Sequence, residues 1–513
     1  MTEPANPPVS FSVALANEAA TAHLMADLAL LTGAGDVITL SGDLGAGKTA
    51  AARAMLRYIA SDPALEVPSP TFTLIQDYEL GPLSVLHADL YRINDPGELE
   101  EIGLTPLPQG VLALIEWPER APGVLPPSRI DIALSHRPAL GSGARVAEIT
   151  GYGNAAAKVS RLEALRQLLD LAGYGDARRE RMPGDASTRS YARLHRGNVS
   201  TILMNAPKRP DGPAVYDGKP YSAAVHLAED VKPFVALAGG LRDRGFSAPA
   251  IHHADLDSGF LITEDFGTAL FVEGMPPAPI ADRYQVATDM LAELHGDQLP
   301  EILPIAPHID YPVPVFDTDA LLIEIGLMLE WYLPDRGVTP NDNLRADFVM
   351  MWRKILDKVD DAPRTWVLRD FHSPNLIWLE HREDTGKVGI LDFQDAVLGP
   401  AAYDLVSLLQ DARVDVPEEI ELAMLTRYVR ARKTADPAFD PGAFAETYAV
   451  MSAQRNTRLL GTFARLNRRD GKPQYLAHQP RVWRYLNRSL AHPYLASLRS
   501  WYETNVPAPA PPA

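Results

Sequence analysis

The chain has 513 residues, of which 46% are hydrophobic, so it is long enough to form roughly two to four domains. It contains no cysteine, which excludes disulfides and thiolate metal sites and suits a reducing compartment. The formal net charge of −18 disfavours non-specific binding to nucleic acid or anionic membranes. No signal-peptide pattern opens the sequence and no run of about 18 apolar residues occurs, so we predict a soluble cytoplasmic protein.

Helix and strand patterns alternate from residue 9 to about residue 150. A helix over residues 18–31 precedes the strand "DVITL", a glycine-rich turn and the helix "KTAAARAMLRYIA". The runs "SVLHADL" and "VLALIEW" are apolar strands that end in carboxylates. This alternation predicts an α/β domain with a doubly wound sheet. Residues 138–157 lose periodicity, so the first domain is predicted to span residues 1–156.

The turn "SGDLGAGKTA" matches the P-loop pattern G-x-x-x-x-G-K-[ST], with the required strand before it and helix after it. Its glycines allow backbone N–H groups to approach phosphate oxygens at a helix N-terminus. We expect Lys48 to contact the β- and γ-phosphates of ATP and Thr49 to hold Mg²⁺ through its hydroxyl. The predicted nucleotide-binding residues are Gly42, Asp43, Leu44, Gly45, Ala46, Gly47, Lys48 and Thr49.

Two strand-end acids accompany this loop. Asp89 and Glu116 are each placed to hold Mg²⁺ through water or to orient an attacking water, although solvated strand-end acids are also common. "VPSPTFTL" adds Ser69, Thr71 and Thr73 in a proline-restricted loop. This loop is typical either of a switch that senses the γ-phosphate or of a plain turn.

The motifs "VPSPTFTLIQDY", "LHADLYRI", "ELEEIGL" and "LIEWPER" resemble the TsaE-type ATPase subunit of the bacterial tRNA threonylcarbamoyladenosine machinery. The resemblance covers about residues 10–150. It implies that Lys48 and Thr49 bind nucleotide and Mg²⁺, that Thr71 lies in the switch loop, and that Asp89 and Glu116 serve the metal and hydrolysis. It also implies protein partners that modify tRNA, with no direct nucleic-acid binding by this chain.

A second domain is predicted over residues 157–505. Strand-like pieces such as "RSYARLHRG" and "VSTILMNAP" predict a small β-rich lobe over about residues 175–268. Mostly helical patterns follow over about residues 280–505, so the expected fold is an α+β two-lobed, protein-kinase-like domain. The Pro/Ala-rich residues 506–513 are predicted to be disordered.

The second domain carries its own phosphate chemistry. Asp370 lies five residues before Asn375, and Asp392 follows in "ILDFQDA". Phosphoryl transfer to a hydroxyl needs a carboxylate to orient the nucleophile, plus an amide oxygen and a carboxylate to bind Mg²⁺. Short apolar strands before both acids are typical of a kinase catalytic loop and metal loop.

The region resembles the aminoglycoside phosphotransferase and choline kinase superfamily. "PGDASTRSYARL", "LITEDFG", "LRDFHSPNL" and "QRNTRLLGTFARLNRRDGKPQYL" are most similar to AmgK-type kinases, which phosphorylate N-acetylmuramate and N-acetylglucosamine at the anomeric hydroxyl. The resemblance implies that Asp370 is the base or orienting group, that Asn375 and Asp392 bind Mg²⁺, and that Asp404 anchors the catalytic loop. By the same resemblance Ser187, Thr188 and Arg189 lie at the phosphates of the nucleotide, and Glu264 and Phe266 line its adenine. The resemblance also implies that Asp395 is an acid that lies just outside the direct metal ligands.

Two positions depart from the generic kinase pattern. Met204 stands where a phosphate-pairing lysine is usual, so Arg189, Lys208 or a backbone donor is expected to replace that charge. Leu368 stands where a histidine often begins the catalytic loop, so one supporting hydrogen bond is expected to be missing. Both departures also fit a non-catalytic nucleotide-binding regulatory module.

A sugar acid needs a cation for its carboxylate. Gln454, Arg458 and Arg465 fall on one helical face at i, i+4 and i+11, so this face is predicted to bind substrate. A surface salt-bridge face is the alternative. Kinases of cationic alcohols, such as aminoglycosides or choline, would instead need acidic residues there.

Overall fold

The structure is a computed structural model, and it describes residues 7–81, 83–93, 95, 97–101, 103–121, 123, 125–141, 143–183, 189–208, 212–357, 359 and 362–510. The chain divides into two compact units. The first unit comprises residues 1–208 and 251–265, and the second comprises residues 209–250 and 266–513.

The elements are numbered in chain order. The strands are β1 (Val9–Leu15), β2 (Val37–Ser41), β3 (Ile75–Leu80), β4 (Leu83–Asp89), β5 (Leu112–Glu116), β6 (Arg129–His136), β7 (Arg145–Tyr152), β8 (Arg178–Arg181), β9 (Ser190–Arg196), β10 (Val199–Asn205), β11 (Ala214–Tyr216), β12 (Lys219–Pro220), β13 (Ile251–Asp255), β14 (Phe260–Glu264), β15 (Val272–Glu273), β16 (Ala278–Pro279), β17 (Ile302–Ala306), β18 (Ile309–Pro312), β19 (Arg364–Val367), β20 (Leu376–Trp378), β21 (Val388–Ile390) and β22 (Val397–Pro400). The helices are α1 (Glu18–Leu31), α2 (Lys48–Ala60), α3 (Glu98–Glu101), α4 (Ala155–Leu171), α5 (Tyr221–Ala224), α6 (Lys232–Arg242), α7 (Ala281–Leu294), α8 (Thr318–Leu327), α9 (Leu333–Asp335), α10 (Asp342–Leu356), α11 (Ala402–Leu409), α12 (Glu418–Ala435), α13 (Pro441–Asp470), α14 (Gln479–Leu490) and α15 (Ala496–Asn505).

A mixed sheet forms the N-terminal part of the first unit, with the strand order β1-β7-β6-β2-β5-β4-β3. Pairing is parallel from β6 through β2 and β5 to β4, and antiparallel towards both edges. β2 and β5 are almost continuously apolar and buried, as expected for central parallel strands covered on both faces. The predicted α/β domain is confirmed, with antiparallel edge strands added to its parallel centre.

An antiparallel sheet with the order β13-β14-β10-β9-β8 belongs to the same compact unit. One face of this sheet shares a hydrophobic core with the helices of the N-terminal part. Each fully buried aliphatic or aromatic side chain in such a core contributes about 1.5–3 kcal/mol. Members of the core include Leu194, Leu203, Phe260 and Ile262 from the sheet, Leu24 and Leu28 from α1, and Leu162, Leu165 and Leu169 from α4.

Buried polar contacts reinforce this shared core. Asp27 of α1 accepts hydrogen bonds from Arg179 of β8, with Nε–Oδ1 at 2.9 Å and Nη2–Oδ2 at 3.1 Å, and from Arg166 of α4 at 2.8 Å. The side chains of Asp27 and Arg179 are each only 1% exposed. Arg181 of β8 donates to the carbonyl oxygen of Ile59 in α2 at 2.6 Å. These contacts tie the sheet to α1 and α2, and they tie α1 to α4.

The compact units do not divide at the predicted boundary near residue 156. That position lies in the first turn of α4, which packs on β1, β6 and β7 as well as on β13. The structure accordingly places the small-lobe strands β8–β10, β13 and β14 in one unit with the P-loop sheet.

The second unit is mainly helical and is organised around the 30-residue helix α13, which packs against α8, α11 and α14. Gly461 permits a close approach here, because a Cβ at this position would lie 2.4–2.6 Å from backbone atoms of Leu327 and Met328. Two short antiparallel pairs, β19 with β22 and β20 with β21, hold the segments that contain Asp370, Asn375 and Asp392.

The predicted disordered tail begins with packed residues. Val506 is buried, and the Tyr332 hydroxyl donates to the carbonyl oxygen of Pro507 at 2.8 Å. Residues 511–513 lie outside the described range. Among the helices of the described chain, none has both the length and the apolar character needed to cross a bilayer.

Candidate active sites

The P-loop connects β2 to α2 through glycines whose backbone conformations other residues rarely adopt. Gly42, Gly45 and Gly47 have φ values of +130°, +81° and +107°. A Cβ on Gly42 would lie 2.1 Å from the carbonyl oxygen of Leu134, so the loop packs directly on β6. This is the close backbone approach that the sequence motif predicts.

The other loop residues divide into buried and exposed positions. Ala46 is fully buried, whereas Asp43 and Leu44 are exposed. Arg145 of β7 donates through Nε to the carbonyl oxygen of Ala46 at 2.7 Å. Arg145 lies about 100 residues from the motif, so sequence reasoning missed this support for the loop.

Lys48 is folded back onto its own loop. Its Nζ donates to the carbonyl oxygens of Gly42 at 2.7 Å and Asp43 at 3.0 Å, and it lies 3.5 Å from the ring centroid of Trp117. Burial lowers the pKa of Lys48, although nearby Glu116 acts in the opposite direction. The ammonium group is thus held at the loop by two carbonyls and an aromatic face.

The predicted metal and hydrolysis residues meet at one edge of the sheet. Asp89 and Glu116 are directly paired in register at the carboxyl ends of β4 and β5. Glu116 accepts from the Thr49 hydroxyl at 2.9 Å, and Asp89 accepts from the Thr71 hydroxyl at 2.7 Å. The structure therefore brings together the P-loop hydroxyl, the switch-loop hydroxyl and both carboxylates.

These oxygen donors suit a hard cation such as Mg²⁺, which binds carboxylates and hydroxyls alongside substrate phosphates. Within the described residues, no cluster of three or more His, Asp or Glu side chains has metal-binding geometry. A residue that sequence reasoning missed, His87, lies with Nε2 2.9 Å from Glu116 Oε1 and is fully buried. It fixes the second oxygen of the Glu116 carboxylate.

The kinase-type loop of the second unit is held by Asp404, which is completely buried. Its carboxylate accepts from the backbone N–H groups of Leu368 at 2.7 Å and Arg369 at 2.9 Å. The Ser407 hydroxyl donates to the carbonyl oxygen of Arg369 at 2.9 Å. The prediction that Asp404 anchors this loop is confirmed. Its bond to residue 368 is made through the backbone N–H, so the replacement of the usual histidine by Leu368 does not affect this bond.

Asp370, Asn375 and Asp392 lie close together. Asn375 Nδ2 donates to the Asp370 carbonyl oxygen at 3.0 Å and lies 3.4 Å from Asp392 Oδ2. Gln394 Nε2 donates to Asp392 Oδ1 at 2.8 Å. The amide nitrogen of Asn375 faces Asp392 here, so a bound Mg²⁺ would be held by the amide oxygen of Asn375 together with the Asp392 carboxylate, which are the donors that phosphoryl transfer uses.

The Asp370 carboxylate is available to a ligand, because its side chain keeps 28% of its surface exposed. Burial alone would raise the pKa of Asp370, but Arg458, His372 and Arg455 hold it below its ordinary value. Asp370 is therefore ionised at neutral pH and able to accept a proton or a hydroxyl hydrogen bond.

Buried Glu324 of α8 collects several donors, including Arg369 Nη2. Gln454 Nε2 donates to Glu324 Oε2 at 3.1 Å and to the carbonyl oxygen of Leu321 at 3.2 Å. Arg458 Nε lies 3.4 Å from Glu324 Oε1, and its Nη1 donates to the Tyr403 hydroxyl at 2.9 Å. Gln454 thus holds the network together from a fully buried position, which does not favour direct contact with a substrate.

The remaining predicted residues are distributed around this centre. Arg465 lies over the ring of Tyr221, with 4.9 Å between Cζ and the centroid, and burial lowers its pKa. Asp395 Oδ1 accepts from the backbone N–H of Ala228 at 2.6 Å, so it fixes a neighbouring loop.

The structure describes only some of the predicted nucleotide-binding residues of the second domain. Glu264 ends β14, and Phe266 lies against Gly389, where a Cβ would be 2.8 Å from the Phe266 ring. Arg189 directly precedes β9. Ser187 and Thr188 lie outside the described residues.

Met204 occupies the position at which kinases usually have a lysine that pairs with the phosphates. Met204 is buried on β10, where strand alternation points it away from Leu203 and the shared core. Arg193 of the adjacent strand β9 has the same orientation, and its Nε donates to Asp265 Oδ2 at 2.6 Å. Arg193 is thus a cation on the Met204 face that sequence reasoning did not select.

Comparison with known proteins identifies one family in each part of the chain. Residues 178–446 match the family model described as "Phosphotransferase enzyme family", and residues 15–142 match "Threonylcarbamoyl adenosine biosynthesis protein TsaE". The chain belongs to the phosphotransferase family through its C-terminal part and to the TsaE family through its N-terminal part.

Individual relatives make this assignment more specific. The N-acetylmuramate/N-acetylglucosamine kinase of Caulobacter vibrioides is 40% identical over 348 residues, which cover 65% of this chain and 94% of the relative. The kinase of the same name from Pseudomonas aeruginosa is 32% identical and covers 61% of this chain and 84% of the relative. The tRNA threonylcarbamoyladenosine biosynthesis protein TsaE of Rickettsia felis is 38% identical and covers 23% of this chain and 70% of the relative.

Proposed function

We propose that this chain is a bifunctional enzyme. Its C-terminal part phosphorylates N-acetylmuramate and N-acetylglucosamine at the anomeric hydroxyl with ATP, and its N-terminal part hydrolyses ATP in support of tRNA threonylcarbamoyladenosine modification. The observation that carries the first activity is the cluster of Asp370, Asn375 and Asp392, with one orienting carboxylate and one amide–carboxylate pair. The choice of these two sugars as substrates comes from the names of the relatives that match the C-terminal part.

In the proposed transfer, Asp370 accepts the proton of the anomeric hydroxyl, and the oxygen of that hydroxyl forms a bond to the γ-phosphorus of ATP. The bond from that phosphorus to the bridging oxygen breaks, and ADP leaves. Asn375 and Asp392 would hold Mg²⁺, which when bound neutralises charge on the phosphate oxygens. Asp404 keeps the loop in place through two backbone N–H groups.

In the proposed hydrolysis, Lys48 and the P-loop backbone bind the β- and γ-phosphates, and Thr49 with Asp89 would hold Mg²⁺. Glu116 then orients the attacking water, with His87 fixing its other oxygen. The N-terminal 156 residues carry 18 acidic and 8 basic side chains, a net charge of −10. We therefore propose that this part reaches tRNA through protein partners in the cytoplasm.

The charge around Asp370 argues against a cationic substrate. Arg369, Arg455 and Arg458 surround the acids Glu324 and Asp370. These arginines would repel a protonated aminoglycoside or choline and would attract the carboxylate of a sugar acid.

The test is phosphosugar formation from ATP, Mg²⁺ and either N-acetylmuramate or N-acetylglucosamine. The wild type should form sugar 1-phosphate, and Asp370→Asn should lose about 10²–10⁴-fold in rate. A sugar whose anomeric hydroxyl is blocked by a methyl group should not react. Phosphorylation of the blocked sugar would contradict the assigned position, and equal rates for the variant and the wild type would contradict the role of Asp370.

A further inference from the structure

One arginine near the kinase loop lacks the pairing that its neighbours have. Arg455, in the middle of α13, is only 2% exposed. Neither its Nε nor its Nη1 has a hydrogen-bond partner among the described residues. Burying a guanidinium without satisfying its donors costs several kcal/mol, so a ligand is expected to supply the missing acceptors.

The surroundings of Arg455 are charged but already engaged. Arg458 lies three residues further along α13, on the same face, and is bound by Glu324 and Tyr403. Asp411 accepts from the Ser373 hydroxyl at 2.6 Å and from the backbone N–H of Arg413 at 2.8 Å. The acids near Arg455 therefore have other partners, except for Asp370, which the proposed reaction uses.

The neighbouring arginines show the same difference. Arg369 donates to the carboxylate of Glu324, and Arg458 is paired with the same carboxylate. Arg455 differs from both, because its Nε and Nη1 have no acceptor among the described residues.

We propose that Arg455 binds the carboxylate of N-acetylmuramate and so determines the preference for this sugar over N-acetylglucosamine. The inference rests on the proposed function. A guanidinium offers parallel N–H groups that match the two oxygens of a carboxylate, and charge-assisted hydrogen bonds are strongest where water is excluded. Because N-acetylglucosamine has no carboxylate, it leaves this arginine unpaired.

The experiment compares kcat/KM for the two sugars in the full-length protein, for the wild type, Arg455→Met and Arg455→Lys. A charged hydrogen bond is worth about 1.5–3 kcal/mol, so Arg455→Met should lower the ratio of N-acetylmuramate to N-acetylglucosamine kcat/KM at least about 10-fold. Arg455→Lys, which keeps the charge but not the paired donors, should fall in between. Arg469→Met, a change at an exposed arginine of the same helix that pairs with Asp470, should leave the ratio unchanged.

A further substrate separates charge from size. N-acetylmuramate with its carboxylate converted to the amide should be used equally well, relative to N-acetylglucosamine, by the wild type and by Arg455→Met. Arg455→Met should also match or exceed the wild type in thermal unfolding, because it removes an unpaired buried charge. A ratio unchanged by Arg455→Met, with the fold intact, would overturn the role of Arg455 alone. Failure of the wild type to phosphorylate either sugar would overturn the proposed function, and with it the substrate named here.

Discussion

The two phosphate sites of this chain are built from different parts of the polypeptide. In the P-loop site the backbone dominates, with three glycines at positive φ and a lysine held by carbonyl oxygens. In the kinase site, side chains dominate; buried Asp404 holds the backbone of the loop that carries them, and buried Glu324 holds neighbouring side chains. A backbone cradle is encoded within a few consecutive residues, whereas a side-chain cluster depends on tertiary packing.

The largest effects should come from disabling each site separately. Lys48→Ala should lower ATP hydrolysis measured without sugar by about 10²-fold or more, because it removes the charge that faces the phosphates. Asp392→Ala should lower the rate of sugar phosphorylation by a similar factor, because it removes a proposed metal ligand. Phosphate release and phosphosugar formation are measured for both variants. Loss of both activities in Lys48→Ala, with the fold intact, would contradict two separate sites.

A second test concerns the buried pair between Asp27 and Arg179, which joins a helix to a sheet in the first unit, as the buried pair between Arg369 and Glu324 joins a loop to a helix in the kinase site. Arg179→Met leaves the fully buried Asp27 with Arg166 alone, and breaking such a pair costs about 3–5 kcal/mol of unfolding free energy. Urea unfolding measures this loss. The matched control is Arg499→Met, which breaks an exposed pair with Glu503 and should cost less than about 1 kcal/mol. Equal losses for the two variants would show that the buried pair has no special weight.

A third test addresses the backbone cradle directly. Gly42→Ala should destabilise the protein by about 1–3 kcal/mol and reduce ATP hydrolysis, because the added methyl group would overlap the Leu134 carbonyl. Gly33→Ala, where no atom lies within 4 Å of the added Cβ, should change stability by less than about 0.5 kcal/mol. Normal ATP hydrolysis by Gly42→Ala would contradict the tight packing of this loop on β6.

The smallest effect is a pH dependence that comes from the kinase site. Burial, the largest cause, lowers the pKa of His372 from 6.5 to about 4, although Asp411 acts in the opposite direction. Between pH 6.5 and pH 4 the unfolded chain therefore binds the proton more readily, so this contribution to stability is lost as the pH falls.

Urea unfolding at pH 7 and pH 5 tests this contribution. The wild type should lose on the order of 1–2 kcal/mol more than His372→Gln over that interval. The difference between variant and wild type at pH 7 serves as the baseline. Parallel losses in the two proteins would mean that His372 already binds its proton inside the fold.

The sequence was sufficient where chemistry and local structure coincide. The P-loop is a continuous motif, and Asp89 and Glu116 are recognisable because each ends an apolar strand. The role of Asp404 came from the resemblance to the phosphotransferase superfamily. In the first two cases the geometry follows from a few residues and the regular spacing of strands.

The residues that were missed depend on contacts between distant segments. Arg145 supports the P-loop from β7, and Glu324 lies in α8 outside any recognised motif, so neither carries a local signal. Arg455 was passed over in favour of Gln454 and Arg458 because helical spacing alone does not say which arginine is already paired. The apolar character of α1 on all sides was an available signal that this helix is covered by more than one sheet.

The common core of α1, α4 and the small-lobe strands has a consequence for how the two enzymes coexist. If the gene were cut near codon 156, the C-terminal product would expose core side chains such as Leu194, Leu203 and Phe260, and the N-terminal product would lose side chains that pack on α1. Because both parts belong to one polypeptide and share side chains of one core, they are made in a fixed one-to-one ratio. The fusion therefore includes a shared hydrophobic core as well as a covalent connection.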